Sequence, residues 1–192
     1  MADKIPKQRN EIDPVFKEVL TRRFSVYRAD LQTEVEVSRL LRTIDALLTV
    51  EDDDQRQRIC AETPFFYCAQ TNQIEFKGIK DRLTKKEYHK IQGRTHFLLG
   101  ERDIEPLDMT VTIISAGKPN TVLEYAKTLQ QPFNPISNKD GYYKREGSPP
   151  IYLLIVNELP LTPKNYPLLV FASSERKFRE YLEQVVAEGE TA

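Results

Sequence analysis

Three residues of this chain could do chemistry together: Asp45, Glu75 and Lys77. Glu75 and Lys77 lie in Gln73-Ile74-Glu75-Phe76-Lys77-Gly78, where polar and apolar residues alternate as in a half-buried strand. Residues i and i+2 of a strand share a face, so Glu75 and Lys77 project together while Ile74 and Phe76 turn to the core. A carboxylate beside an ammonium, next to a second acid on a neighbouring strand, is the minimum apparatus for metal-assisted phosphodiester hydrolysis. Asp45 is the expected second acid. It shares one face of a largely apolar strand with Thr43, Leu47 and Thr49, where a lone carboxylate is costly to bury unless it is paired or binds a cation. Two such carboxylates offer hard oxygens to Mg²⁺. A divalent ion acidifies water and stabilises charge on a phosphate, and Lys77 would orient that water or offset the developing charge.

The pattern E-x-K by itself is weak, since chance supplies about one copy in a chain of this size. Glu175-Arg176-Lys177 is a second copy, but it falls on the expected last helix, where that spacing turns the side chains ~200° apart. The plain alternative for Glu75 and Lys77 is an ion pair on a solvated sheet edge, worth little. For Asp45 it is a carboxylate that caps a backbone amide. His89 and His96 are two turns apart on one helix, about 10 Å along its axis, too far to share an ion.

The elements that must position these residues follow from periodicity and turn chemistry. Asp13-Pro14 starts a helix that runs to about Arg23. Leu31 to Ser38 and Leu40 to Val50 read as strands, and Gln55 to Ala61 as a short helix. Phe65 to Gln70 reads as a strand just before the Glu75 strand. Thr84 to Glu87 is a capping box that opens a helix with Tyr88, Ile91, Thr95 and Leu98 on one face, stopped by Gly100. Met109 to Ile114 is a strand and Thr121 to Leu129 a helix. Gln130 to Pro150 is a long loop with a small hairpin at Tyr142-Tyr143. Ile151 to Val156 is a strand buried on both faces, Leu168 to Ala172 another strand, and Ser173 or Ser174 caps a final helix. The expectation is an α/β single domain over residues 13–188, a mixed central β-sheet flanked by helices, with a flexible lead-in at 1–12 and a tail at 189–192.

The chain has 192 residues, 40% hydrophobic and 30% charged, with a formal net charge of −1. That fits an ordinary globular protein, and any nucleic-acid surface must be a local basic patch. Lys80, Arg82, Lys85, Lys86 and Lys90 form one beside the expected site and could hold phosphates. No apolar run approaches the roughly 20 residues of a membrane span. Cys60 and Cys68 fit neither a zinc site nor a redox pair, so reduced thiols in a cytoplasmic protein are expected.

The chain resembles the PD-(D/E)XK, or restriction-endonuclease-like, superfamily, and within it the recombination-promoting nuclease and transposase-like branch. The resemblance is carried by Asp13-Pro14-Val15-Phe16-Lys17, Glu34 to Val37, Arg42-Thr43-Ile44-Asp45, Ile74-Glu75-Phe76-Lys77, and Lys90, Gln92 and Arg94 on the following helix. It spans about Asp13 to Ile114. It implies a restriction-endonuclease-like core and a Mg²⁺- or Mn²⁺-dependent DNA endonuclease linked to recombination or mobile elements. Asp45 and Glu75 would be metal ligands with the Phe76 carbonyl, Lys77 the catalytic lysine and Gln92 a helper. Lys80, Lys85, Lys86, Lys90 and Arg94 would contact DNA. Asp45 and Glu75 stand 30 residues apart, longer than the tight hairpin usual in the superfamily, so Glu34 or Glu36 could replace Asp45. Two other classes remain open: a catalytically inactive relative that binds DNA or protein, and an assembly protein that pairs with a second copy of itself.

Overall fold

The apolar runs assemble into one seven-stranded mixed sheet with helices on both faces, in a computed structural model that describes residues 12–38 and 42–189. Side chains at 12, 13, 34–38 and 42 are outside that description. So are the expected lead-in and tail, apart from Ile12 and Gly189. The elements are α1 (Ile12–Ser25), β1 (Asp30–Ser38), β2 (Arg42–Thr49), α2 (Asp53–Glu62), β3 (Thr71–Lys77), α3 (Lys85–Arg102) and β4 (Met109–Ser115). After them come α4 (Asn120–Thr128), β5 (Asn134–Pro135), β6 (Tyr142–Arg145), β7 (Ile151–Ile155), α5 (Tyr166–Leu169) and α6 (Glu175–Glu188). Strand order is β1-β2-β3-β4-β7-β6-β5. β2 runs antiparallel to both β1 and β3, β3-β4-β7 run parallel, and β6 and β5 close the far edge antiparallel.

Alternation along the strands divides the core in two. Ala46, Leu48, Ile74, Phe76, Ile114 and Leu154 meet α1, α2, α5 and α6 through Phe16, Leu20, Ile59, Leu169 and Tyr181. Leu47, Val111, Ile113 and Leu153 meet α3 and α4 through Tyr88, Ile91, Leu98 and Val122. The parallel centre is covered on both sides, and every residue of β3, β4 and β7 is buried. β3 is therefore no half-exposed strand: Gln73 and Glu75 lie under α3, not in solvent.

Local chemistry sets the element ends. Asp52 caps α2 by accepting the Gln55 N–H at 2.7 Å, and Asp53 and Asp54 in its first turn suit the helix dipole. Thr84 caps α3 by accepting the Glu87 N–H at 3.2 Å. Gly100 does not stop that helix. α3 continues to Arg102 and ends at Asp103 in the left-handed region, φ 51°, a conformation that Asp tolerates.

Two expected strands are absent. Phe65 to Gln70 is a turn in which the Cys68 N–H donates to the Phe65 carbonyl at 2.9 Å. Its aromatics plug the core from a loop, and Tyr67 stacks on Tyr152 with centroids 3.5 Å apart. Leu168 to Ala172 continues a helical turn that Pro167 helps open, with Phe171 and Ala172 N–H groups donating to Leu168 and Leu169 carbonyls. Short apolar runs do not distinguish strand from buried helix by periodicity. Among the described residues no helix is long and apolar enough to cross a membrane.

Candidate active site

The antiparallel ladder between β2 and β3 ends at the pair Ala46–Ile74. One step beyond it on each strand come Asp45 and Glu75. There the Phe76 N–H donates to Asp45 Oδ2 at 2.8 Å, so a side chain takes the amide that a β2 carbonyl accepts further along. The amide-capping alternative for Asp45 is thus realised, and it is what brings the carboxylate against β3. On the other side of β3 the Lys77 carbonyl accepts the Ala116 N–H at 2.9 Å. Carbonyls alternate along a strand, so the Phe76 carbonyl turns toward β2, on the side of Asp45.

Glu75 points under α3 and is 1% exposed. Its Oε1 accepts Gln73 Nε2 at 2.9 Å and Arg94 Nε at 3.0 Å, and its Oε2 accepts Arg94 Nη2 at 2.8 Å. Arg94 is 6% exposed, so this is a buried, two-pronged guanidinium–carboxylate pair. Thr95 Oγ1 donates to Gln73 Oε1 at 2.8 Å and completes the row. Burial, and next the Asp45 charge, push the Glu75 carboxyl up to about 7 against the pull of Arg94, Lys77 and Gln73.

Lys77 is 6% exposed. Its Nζ donates to Asp81 Oδ2 at 2.9 Å and lies 3.9 Å from Glu87 Oε2. Burial pulls its pKa down, but the Asp81 hydrogen bond and the charges of Asp45, Asp81 and Glu75 outweigh it, and the net shift is upward. Lys77 is therefore an ammonium at neutral pH, suited to hold negative charge and not to act as a base. Beyond it the carboxyl ends of β3 and β4 open onto a cavity of about 370 Å³, lined by Gly78, Arg82, Ser115, Gly117 and Lys118 among others.

The other expected residues divide. Lys80, Lys85, Lys86 and Lys90 are exposed on the loop after β3 and the first two turns of α3. Lys90 pairs with Glu87 at 2.6 Å, and Lys85 lies 4.9 Å from the Tyr125 ring centroid. Arg94 is no surface contact: it is spent inward on Glu75. Gln92 turns away from Glu75, its Oε1 accepting from Arg145 Nη1 at 2.8 Å. Glu34 and Glu36 belong to β1, one strand further from Glu75, and their side chains lie outside the described residues.

Sequence reasoning missed Asp81, Glu87 and the inward role of Arg94. A signal for Arg94 existed. It sits two turns after Glu87, on the flank of the Tyr88-Ile91-Thr95-Leu98 stripe, and a charge at such a position demands a partner.

The donor set suits a hard divalent cation in type: the carboxylates of Asp45 and Glu75 one residue past the last β2–β3 ladder pair, with the Phe76 carbonyl directed to the same side. Among the described residues no three Asp, Glu, His or Cys side chains form a cluster fit for an ion. An ion here would take backbone, water or substrate oxygens as well, and Glu75 would have to loosen its hold on Arg94. Compared with protein-family models, curated proteins and solved structures, the chain matches none of them.

Proposed function

We propose that this protein is a Mg²⁺- or Mn²⁺-dependent endonuclease of the PD-(D/E)XK type, acting on DNA. The observation that carries the reading is the β2–β3 junction. The ladder stops there, Asp45 and Glu75 stand one residue past its last pair, and Lys77 follows on the Glu75 face. The stretch that bears the family resemblance forms α1 through β4, whose four strands lie side by side in chain order. That order supports a restriction-endonuclease-like core.

A divalent ion held by Asp45, Glu75 and the Phe76 carbonyl would acidify a water and neutralise charge on the phosphate. Asp45 keeps its place through the Phe76 N–H. Lys77, held protonated by its carboxylates, would offset charge that develops on the phosphate oxygens. Asp81, half exposed, tethers that ammonium. The exposed lysines Lys80, Lys85 and Lys86 would contact the backbone without reading sequence.

One observation favours a second reading, a non-hydrolytic module on the same fold: both oxygens of Glu75 are already occupied, and it is sealed from solvent. Supercoiled plasmid separates the two. With Mg²⁺ or Mn²⁺ the nuclease nicks it, EDTA stops nicking, and Lys77→Ala abolishes it. Folded wild type that leaves plasmid intact in both metals sinks the nuclease reading.

A further inference from the structure

We infer that the Arg94 guanidinium stands in for the cation in the metal-free protein, and that a divalent ion gains Glu75 only by displacing it. The inference rests on the metal site proposed above and concerns how that site is kept before it is loaded. A buried carboxylate needs a positive partner. Arg94 supplies one with two nitrogens at 2.8 and 3.0 Å, on the same oxygens a metal would use. Lys77, the other cation of the site, does not take this place, because Asp81 holds its Nζ at 2.9 Å.

The arrangement is built for exchange. Gln73 Nε2 holds Oε1 from the strand itself, so the Glu75 carboxylate keeps one fixed donor when the guanidinium leaves. Arg94 comes from α3, an element with two turns of exposed lysines at its start, and a released guanidinium has five donors to offer a phosphate. Arg94 thus acts as a positioning residue: it holds Glu75 folded inward without metal and weakens metal affinity by its own competition. Its position makes cation binding and guanidinium release a single exchange. The site would load fully only when an ion, or an ion together with a phosphate that accepts the freed Arg94, outbids the internal pair.

Two measurements on the full chain test this. The first follows the Arg94 Nε–H in ¹⁵N-labelled wild type by NMR during a Mg²⁺ titration. A signal protected from solvent exchange in EDTA should lose its protection in step with metal binding. The second is calorimetry of Mg²⁺ and Mn²⁺ with wild type, Arg94→Met and Arg94→Lys. Removal of the competitor should tighten binding at least tenfold in Arg94→Met. Arg94→Lys, which keeps the charge but loses the two-pronged grip, should also bind tighter than wild type. The wild-type NMR reading needs no variant to fold. If Mg²⁺ binds while the Arg94 Nε–H stays protected and Arg94→Met binds no tighter, the exchange is wrong and the metal site stands. If neither wild type nor either variant binds Mg²⁺ or Mn²⁺, both the metal site and the exchange fall.

Discussion

Arg94 and Arg145 are both buried guanidinium groups that tie α3 to the sheet, and they do so with opposite chemistry. Arg94 reaches from α3 to a carboxylate on the central strand β3. Arg145 reaches from β6, near the sheet edge, to α3, and its Nη1 donates to Tyr88 Oη, Gln92 Oε1 and Gln131 Oε1 at 2.8, 2.8 and 2.9 Å. Its Nε has no partner among the described residues. Every oxygen it meets is neutral, and the Tyr88 ring lies 5.9 Å from its centre. A metal ion competes strongly for a carboxylate and poorly for amide and phenol oxygens against a guanidinium. Tyr88, Gln92 and Arg94 all lie in the first and middle turns of α3, so the two ties grip different sides of the same stretch. Under the proposed exchange a cation would compete for the first and not for the second. On the proposed reading the first would belong to chemistry and the second to architecture.

The sharpest way to break this contrast is to remove Arg94. Arg94→Met leaves Glu75 buried without its counter-ion, and urea unfolding in EDTA at pH 8, where wild-type Glu75 is ionised, should show a loss of about 3–5 kcal/mol. Because Mg²⁺ can replace the missing charge, the variant should regain much of that stability when metal is added, more than wild type gains. A variant equally weak with and without metal would make the Glu75–Arg94 pair purely structural.

Proton uptake tests the same pair without mutation. With the Glu75 carboxyl near 7 in the folded protein and near 4.5 when unfolded, the native state binds the extra proton between those values. Stability contributed by that proton is fully present below about pH 4.5 and is lost as pH rises through 7, on the order of 3 kcal/mol in all. Unfolding free energy of metal-free protein from pH 4.5 to 8 should fall in that window and level off above it. A Glu75 contribution that instead rises through the window would mean the Arg94 charge dominates burial.

Arg145 gives the counterpart. Arg145→Met strips a donor from the oxygens of buried Tyr88, half-buried Gln92 and exposed Gln131, a loss of about 1–3 kcal/mol. That loss should be the same in EDTA, in Mg²⁺ and across pH 4.5–8. Metal-dependent recovery of Arg145→Met would erase the distinction between the two ties.

Much of this was legible in the sequence, and what was not has a physical reason. β3, α3 and α6 followed from alternation, the Thr84 cap and Ser174, because those signals are local. The pairing of Asp45 with the Glu75 strand was legible as chemistry from a costly lone acid in an apolar strand. The burial of Glu75 was not. Alternation in Gln73 to Lys77 reads as a strand with one wet face, and only the parallel neighbours β4 and β7, with α3 laid across them, make both faces dry. The aromatic run Phe65 to Gln70 misled for a related reason: its residues fill the core from a turn, and periodicity does not register a loop turned inward. Leu168 to Ala172 is the same error in a helical turn.

Gln92 is where the comparison decides a residue's role. Family resemblance makes it a catalytic helper, whereas the structure spends its amide oxygen on Arg145, on the side of α3 that Arg145 grips. It lies two residues before Arg94, and on a helix that spacing points the two side chains to different sides. Gln92→Ala removes one of three acceptors from Arg145 and should cost about 1 kcal/mol in unfolding experiments. Plasmid nicking and Mg²⁺ affinity should stay within about twofold of wild type, a change of under 1 kcal/mol, while Lys77→Ala loses nicking altogether. A Gln92→Ala protein that folds normally but has lost cleavage would place Gln92 at the reacting phosphate. Its bond to Arg145 would then be a resting position, and Arg145 would hold a member of the site instead of the frame around it.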